Sequence, residues 1–463
     1  MDLNTDKKWM NLLPTHLSGY NQASNLAQNE MVRKLVKEGE TVYHFGFGQS
    51  PFPVMKAAQK ALTEHTGENA YLPVAGLPEL RASICKFHAK VDNFSQFDAD
   101  DIVVGPGSKE LIFLLMLVFN GDVMMLSPTW TTYKPQALLT QKKVHVIPTS
   151  FDNDWKLTPM AFLKAITNNN LEKKNKLLIL CNPDNPTGTC YTEQELESLS
   201  EAFREHQVIV ITDEIYARLK FDAKHVSLAK YYPEGTIVSS GISKWASAGG
   251  WRLGYSMYPK ELSVLKNAVK SAASHTYSCA SAPIQHASLT VSETLQISHY
   301  FAYCLFFLHS AFENTVHLTN YANCKEKLII YNLFVLYLCR ELTSVGVKVM
   351  RSQAGYYMLP DFEILRPYLK KRGISTCQQL CDALFDEARI AVIGGGPSFL
   401  RPLDEFTVRF CFVSFNGEAA LEASRLIGQK DLPDDFVAEN CQNVVDGVQA
   451  LKNWMNKQMT LAD

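Results

Sequence analysis

Between residues 102 and 259, short β-rich runs alternate with helical patterns, and this alternation confines the chain to a mostly parallel sheet covered by helices on both faces. The strand candidates are Ile102 to Val104, Asp122 to Leu126, Val144 to Pro148, Leu177 to Cys181, Val208 to Thr212, Thr236 to Ser239 and Leu253 to Met257. Thr192 with Glu195 makes a capping box, after which Leu196, Leu199 and Phe203 recur on one helical face. Residues 158 to 168 read as a second helix, with Thr158 as N-cap and Pro159 in the first turn. Upstream, Pro51 to His65 and Leu77 to Val91 read as helices, and near the end so does the stretch from about Val437 to Met459.

At 463 residues the chain exceeds what one hydrophobic core usually supports, which implies two domains. The division expected is an N-terminal segment 1–49 packed with a small domain, a large domain 50–290, a helical connection 291–345 and a small C-terminal domain 346–463. Apolar residues make up 46% and charged residues 20%, with a formal charge of -2, so nothing calls for nucleic acid or an anionic membrane. The apolar run Tyr300 to Leu308 is too short to cross a bilayer. The 11 cysteines lack paired spacing and no signal peptide precedes them, so a reducing, cytoplasmic setting is expected.

Three motifs fall at the carboxyl ends of strands, where open parallel sheets bind ligands. Asn182-Pro183-Asp184-Asn185-Pro186-Thr187-Gly188 must turn sharply, because two Asn-Pro pairs continue neither strand nor helix. The next strand delivers Asp213, Glu214 and Tyr216; alone, Asp213 reads equally well as a helix cap or an ion-pair partner. The third motif is Ser243-Lys244, followed by Gly250-Trp251-Arg252-Leu253-Gly254-Tyr255; a lone lysine after a strand is usually a solvated charge.

Taken together and in this order, the three motifs resemble those of the class I and II aminotransferases, the fold-type I enzymes that use pyridoxal 5'-phosphate; the similarity runs from about residue 41 to about residue 425. The resemblance implies an α/β fold with a mostly parallel seven-stranded sheet sandwiched by helices and a smaller α+β domain built from both termini. It implies that Lys244 forms a Schiff base with the cofactor aldehyde and then shuttles a proton. Asp213 would pair with the pyridine nitrogen, Asn185 and Tyr216 would hydrogen-bond the phenolic oxygen, and Arg252 would bind the phosphate. Gly107, Ser108 and Lys109 match the phosphate cup, at a glycine-rich turn that opens a helix. Trp130 matches the aromatic ring against the pyridine, although core packing is its plain alternative.

Tyr71 resembles the tyrosine that reaches the neighbouring subunit's phosphate, which implies a homodimer. Arg409 resembles the arginine that grips the substrate α-carboxylate, with Gly48 and Asn185 beside it, although a lone arginine in the alternating run Thr407 to Ser414 also reads as surface. The expected activity is transfer of an amino group from an amino acid to a 2-oxo acid by a ping-pong mechanism. A C–S β-lyase, or a synthase that closes the aminocyclopropane ring, fits the same motifs, and a catalytically inactive binding protein of the same fold is the reading from another class. No metal is expected: Cys181 and Cys190 lack zinc-like companions and read as buried thiols. Gly46-Phe47-Gly48 lacks a dinucleotide fingerprint, and Gly394-Gly395-Gly396 reads as a turn.

The chain departs from the family pattern in three places. Gly241 stands where serine is common, and Gly48-Gln49-Ser50-Pro51-Phe52 lacks the usual Pro-Asp-Phe. Residues Tyr303 to Ala322 look like an insertion at the domain junction, without clean helical periodicity.

Overall fold

The computed structural model describes residues 14–17, 24–93, 95–221, 224–294, 319–427 and 432–460. Its strands are β1 (Tyr43–His44), β2 (Ile102–Gly105), β3 (Asp122–Ser127), β4 (Val144–Pro148), β5 (Lys176–Cys181), β6 (Ile209–Asp213), β7 (Thr236–Gly241), β8 (Gly254–Met257), β9 (Tyr357–Met358), β10 (Ile390–Ala391), β11 (Ile393–Gly394) and β12 (Val408–Cys411). Seven of them form one sheet in the order β2-β8-β7-β6-β5-β3-β4. The pairs from β4 through β3, β5 and β6 to β7 are parallel, whereas β8 runs against both β7 and β2. The carboxyl ends of β2, β3, β5, β6 and β7 therefore meet the amino end of β8 along one edge.

The period-two alternation of strand side chains decides how this sheet packs. Met124, Leu126, Leu178, Leu180 and Val210 point to one face, where they meet Phe162, Leu196, Leu199 and Phe203 of helices Pro159–Asn168 and Glu193–Glu205. Val123, Met125, Leu177, Ile179 and Ile211 point to the other, against Leu111, Leu114 and Leu115 of helix Ser108–Val118 and Val269 of helix Ser263–Ser274. Full burial of each such side chain contributes about 1.5–3 kcal/mol, which is why strands this apolar require helices on both sides. The outer helices start where their caps dictate: Thr158 Oγ1 accepts from Ala161 N–H at 3.2 Å. Thr192 and Glu195 form the reciprocal box, at 3.2 Å and 2.7 Å.

A second core joins residues 330–455 to Phe45 and Phe52 near the start of the chain and to Ile215, Tyr216 and Leu219 beyond β6. Over it lie the antiparallel sheet β11-β12-β9 and the parallel pair of β1 with β10. That pair brings the chain's early segment to Ile390 and Ala391, and β12 places Arg409 inward.

Three expectations need correction. The helix expected over Pro51 to His65 spans only Lys56–Glu64, because Pro51 and Pro53 favour extended backbone in the residues before them. The helix expected from Val437 to Met459 is two helices, Phe436–Asn440 and Gln442–Thr460, broken where Cys441 leaves the helical region at φ -134° and ψ 48°. The alternating run Thr407 to Ser414 does not expose one face: the β12 residues are buried on both sides. Of the stretch read as an insertion, residues 303–318 lie outside the described residues, as does Tyr300 to Leu308; Thr319 opens helix Thr319–Thr343. Among the described residues no helix is long and apolar enough to cross a membrane.

Candidate active site

The convergent edge of the sheet opens into a cavity of about 440 Å³. β6 ends on Asp213, and the turn after β5 supplies Asn185. Lys244 stands three residues beyond β7, Trp130 three beyond β3, and Arg252 two before β8. Ser108 and Lys109 begin the helix after β2, whose first N–H groups have no partner within the helix. All of these side chains line the cavity, joined from the second core by Gly48, Tyr357 and Arg409.

Lys244 Nζ donates to the Gly48 carbonyl oxygen at 3.2 Å and lies over the rings of Tyr216 and Tyr356, at 5.7 Å and 5.9 Å from their centres. Burial, reinforced by the Arg409 charge, pushes the Lys244 ammonium down to about 8. A larger share of neutral amine is thus present near physiological pH than an ordinary lysine offers, as a nucleophile or base needs.

Asp213 is buried. Its Oδ2 accepts from the Tyr133 hydroxyl at 2.7 Å and its Oδ1 from Ile215 N–H at 3.2 Å. Burial pushes its carboxyl up to about 6, opposed by the Tyr133 and Ile215 hydrogen bonds and by Lys244. The group stays mostly ionised at neutral pH and offers negative charge inside the cavity.

At the other end two cations crowd together. Arg252 donates to the carbonyl oxygens of Gly249 and Pro106 at 3.0 Å and 2.9 Å, and Lys109 Nζ lies 5.1 Å from the centre of the Trp130 ring. Burial lowers the pKa of both, and the Arg252 charge lowers that of Lys109 further. Neither makes an ion pair with a carboxylate among the described residues. Gly107, at φ +98°, gives the room for this approach, since a Cβ there would lie 2.1 Å from Arg252 Nη2. Two partly desolvated cations beside a helix N-terminus form a socket for an anion.

Arg409 is 1% exposed. It donates to Asn185 Oδ1 at 3.2 Å and to the Gly46 carbonyl oxygen at 2.6 Å, while its Nε has no acceptor among the described residues. The rings of Tyr357 and Phe399 flank it at 4.8 Å and 5.0 Å. An arginine this buried that makes no ion pair among the described residues has unspent capacity for an incoming carboxylate.

The profile of the family described as aminotransferase class I and II matches residues 34–417. The chain belongs to the class I and II aminotransferases. Among similar proteins, aspartate aminotransferase from Geobacillus stearothermophilus is 29% identical over 394 residues, covering 83% of this chain and 91% of the relative. A probable N-acetyl-LL-diaminopimelate aminotransferase from Bacillus subtilis is 29% identical over 370 residues, 78% of this chain and 82% of the relative. The solved structure of Thermus thermophilus aspartate aminotransferase with maleate superposes with a TM-score of 0.76 at 22% identity, covering 95% of this chain and 99% of that one.

As a class I and II aminotransferase the chain is an enzyme that depends on pyridoxal phosphate. The cavity fits that group: a cation socket at one end suits a phosphate, a buried carboxylate suits a protonated ring nitrogen, and a neutral-prone lysine suits an aldehyde. Of the residues singled out in the sequence, Tyr71 does not reach this cavity and is 89% exposed. Gly107 touches it through Arg252 rather than by lining it.

Other neighbours were not legible as site residues. Tyr133 holds Asp213, and the Tyr357 hydroxyl lies 2.8 Å from that of Tyr216. Nothing in the residues around Tyr357 marks it, and only the fold turns it towards Arg409. Gly241 also has a structural reason. A Cβ there would lie 2.7 Å from the Leu253 carbonyl oxygen, so this aminotransferase has no room for the serine common at that position.

Proposed function

We propose that this aminotransferase moves an amino group from an amino acid to a 2-oxo acid in two half-reactions, with Lys244 as the amine that holds the cofactor covalently. The observation that carries this reading is the half-buried Lys244 Nζ, held by the Gly48 carbonyl oxygen at 3.2 Å in the cavity that Asp213 and Arg409 also line, with its pKa pushed down to about 8. Bound there, pyridoxal phosphate supplies an electron-withdrawing ring that renders the Cα–H bond of an amino acid acidic.

The chain's own residues do the rest. Arg252, Lys109, Ser108 and the backbone at Gly107 bind the phosphate, and Trp130 packs against the ring. Asp213 holds a proton on the ring nitrogen by placing negative charge beside it. Tyr216 and Asn185 hydrogen-bond the phenolic oxygen; Asn185 has its Nδ2 for this while Oδ1 faces Arg409. Arg409, with Gly48 and Asn185, grips the α-carboxylate, which fixes the amino acid so that Lys244 Nζ takes the Cα proton and returns it elsewhere.

We further propose a homodimer in which Tyr71 reaches the other copy's phosphate socket. An aromatic side chain left 89% exposed supports burial against a partner. The nine cysteines whose side chains are described are all free thiols, which supports a cytoplasmic setting.

An absorption spectrum with borohydride treatment tests the anchor: the parent protein loses its visible band on reduction, and Lys244→Ala lacks that band. Addition of a donor amino acid alone shifts the band, and a 2-oxo acid restores it. Since several relatives are named for aspartate, aspartate with 2-oxoglutarate heads the donor panel. Ammonia or pyruvate released without an oxo-acid acceptor would instead make the enzyme a lyase.

A further inference from the structure

We propose that His65, Glu68 and His286 form a binding site for a divalent transition-metal ion of the zinc class, outside the catalytic cavity. His65 ends helix Lys56–Glu64, and the chain turns back at once, closed by the Glu68 N–H donating to the His65 carbonyl oxygen at 3.1 Å. His286 lies on helix Ala282–Thr294, which packs against the first helix and so brings a distant part of the sequence to the same point. None of the three residues lines the catalytic cavity.

The separations distinguish a ligand set from ordinary hydrogen bonds. His65 Nδ1 is 3.5 Å from Glu68 Oε1, and His286 Nε2 is 3.9 Å from Glu68 Oε2. Both exceed a good N–H···O bond, so the carboxylate faces two imidazole nitrogens without closing on either. The ligand atoms of the three residues all lie within 4.8 Å of one another. A tetrahedral ion with bonds of about 2.0–2.2 Å needs ligand atoms about 3.4 Å apart, which rotation of the His286 and Glu68 side chains supplies.

An outer partner is in place as well. His65 Nε2 lies 2.8 Å from Thr290 Oγ1, a contact that orients the ring and, with Nε2 as donor, leaves the Nδ1 lone pair directed at the Glu68 side. The two imidazole rings stack at 5.4 Å with 27° between planes, so their in-plane lone pairs run side by side, and binding an ion turns the His286 ring out of the stack to bring its Nε2 onto the point that His65 Nδ1 faces. The side chains are 24–42% exposed, which leaves a coordination position for water. Two imidazoles and a carboxylate form a borderline-soft set suited to zinc, nickel or copper rather than calcium or magnesium. A bound ion would clamp the end of helix Lys56–Glu64 to helix Ala282–Thr294.

Equilibrium dialysis of the cofactor-loaded enzyme against Zn2+ and against Ni2+, with metal counted per chain, tests this. The result expected is that the parent binds one ion more than the His65→Ala/His286→Ala double variant, and that the ion raises the melting temperature of the parent alone. Thr290→Val, which keeps every ligand, weakens binding about tenfold or more. Cofactor absorbance and circular dichroism of each variant establish that it is folded. Equal metal content in parent and double variant, or no saturable binding by the parent, overturns the proposal.

Discussion

The Tyr133 hydroxyl donates a 2.7 Å hydrogen bond to Asp213 Oδ2 in the fully buried floor of the catalytic cavity. Hydrogen bonds to charged groups contribute about 1.5–3 kcal/mol, so this one keeps ionised a carboxyl that burial pushes up to about 6. Tyr133→Phe removes it. The Asp213 pKa then rises further, because a hydrogen bond that lowers it is gone, and the acid limb of the pH–rate profile moves to higher pH. Affinity for pyridoxal phosphate falls about tenfold to a hundredfold as the ring nitrogen loses its counter-charge. A cofactor titration and a pH–rate profile read both effects; an acid limb that stays in place contradicts the role given to Tyr133.

The Lys244 amine has a pH signature of its own. Its pKa is pushed down to about 8 by burial and by Arg409, well below the ordinary lysine value. Only the neutral amine attacks an aldehyde, and the neutral fraction grows as pH rises through the pKa. The rate at which cofactor-free enzyme takes up pyridoxal phosphate therefore rises with pH and levels off above about 8, followed by stopped-flow absorbance. A rate still climbing at pH 10 would show a lysine of ordinary basicity.

How much of this was legible in the sequence depends on the range of the physics involved. The Thr192–Glu195 box and the Thr158 cap act within one turn, and both occur where the residues indicate. The apolar run of β5 likewise reads as a strand buried on both faces without further information. Asp213, Asn185 and Lys244 could be named because turns at strand ends are written in local residue types. Tyr133 could not, because its role comes from a hydrogen bond spanning eighty residues in sequence. Arg409 looked equally like surface, and what decides its burial is the packing of β12 between β11 and β9. The break at Cys441 is invisible to helical periodicity, which continues across it.

Arg409 makes no ion pair among the described residues although it is almost completely buried, and its Nε is unpartnered. Arg409→Gln keeps an amide that can reach the Gly46 carbonyl oxygen but removes the charged fork. Truncating one partner of a buried charge pair costs about 2–5 kcal/mol, so kcat/KM for every donor falls by a corresponding factor. The cofactor band is retained, because the phosphate socket at Arg252 and Lys109 is untouched. The Lys244 pKa also rises, since a positive neighbour has gone. Steady-state kinetics beside an absorption spectrum separate this outcome from a general loss of structure; unchanged kcat/KM would remove Arg409 from the substrate site.

Gly241 gives the most direct test of whether its departure from the common serine is forced by this chain's packing. It pairs with Gly254 across β7 and β8, and a Cβ on it would lie 2.7 Å from the Leu253 carbonyl oxygen and 3.0 Å from Gly254 Cα. Both obstacles are backbone, so no side-chain rotation relieves them and the two strands must separate. Overpacking of this kind costs about 1–3 kcal/mol. Gly241→Ser therefore lowers the melting temperature, and the added hydroxyl brings no gain in affinity for pyridoxal phosphate because the strand carrying it is displaced. Chemical denaturation and a cofactor titration measure the two effects. A variant at least as stable as its parent that also binds the cofactor more tightly would show that β7 and β8 adjust freely at this point, and that packing does not exclude serine.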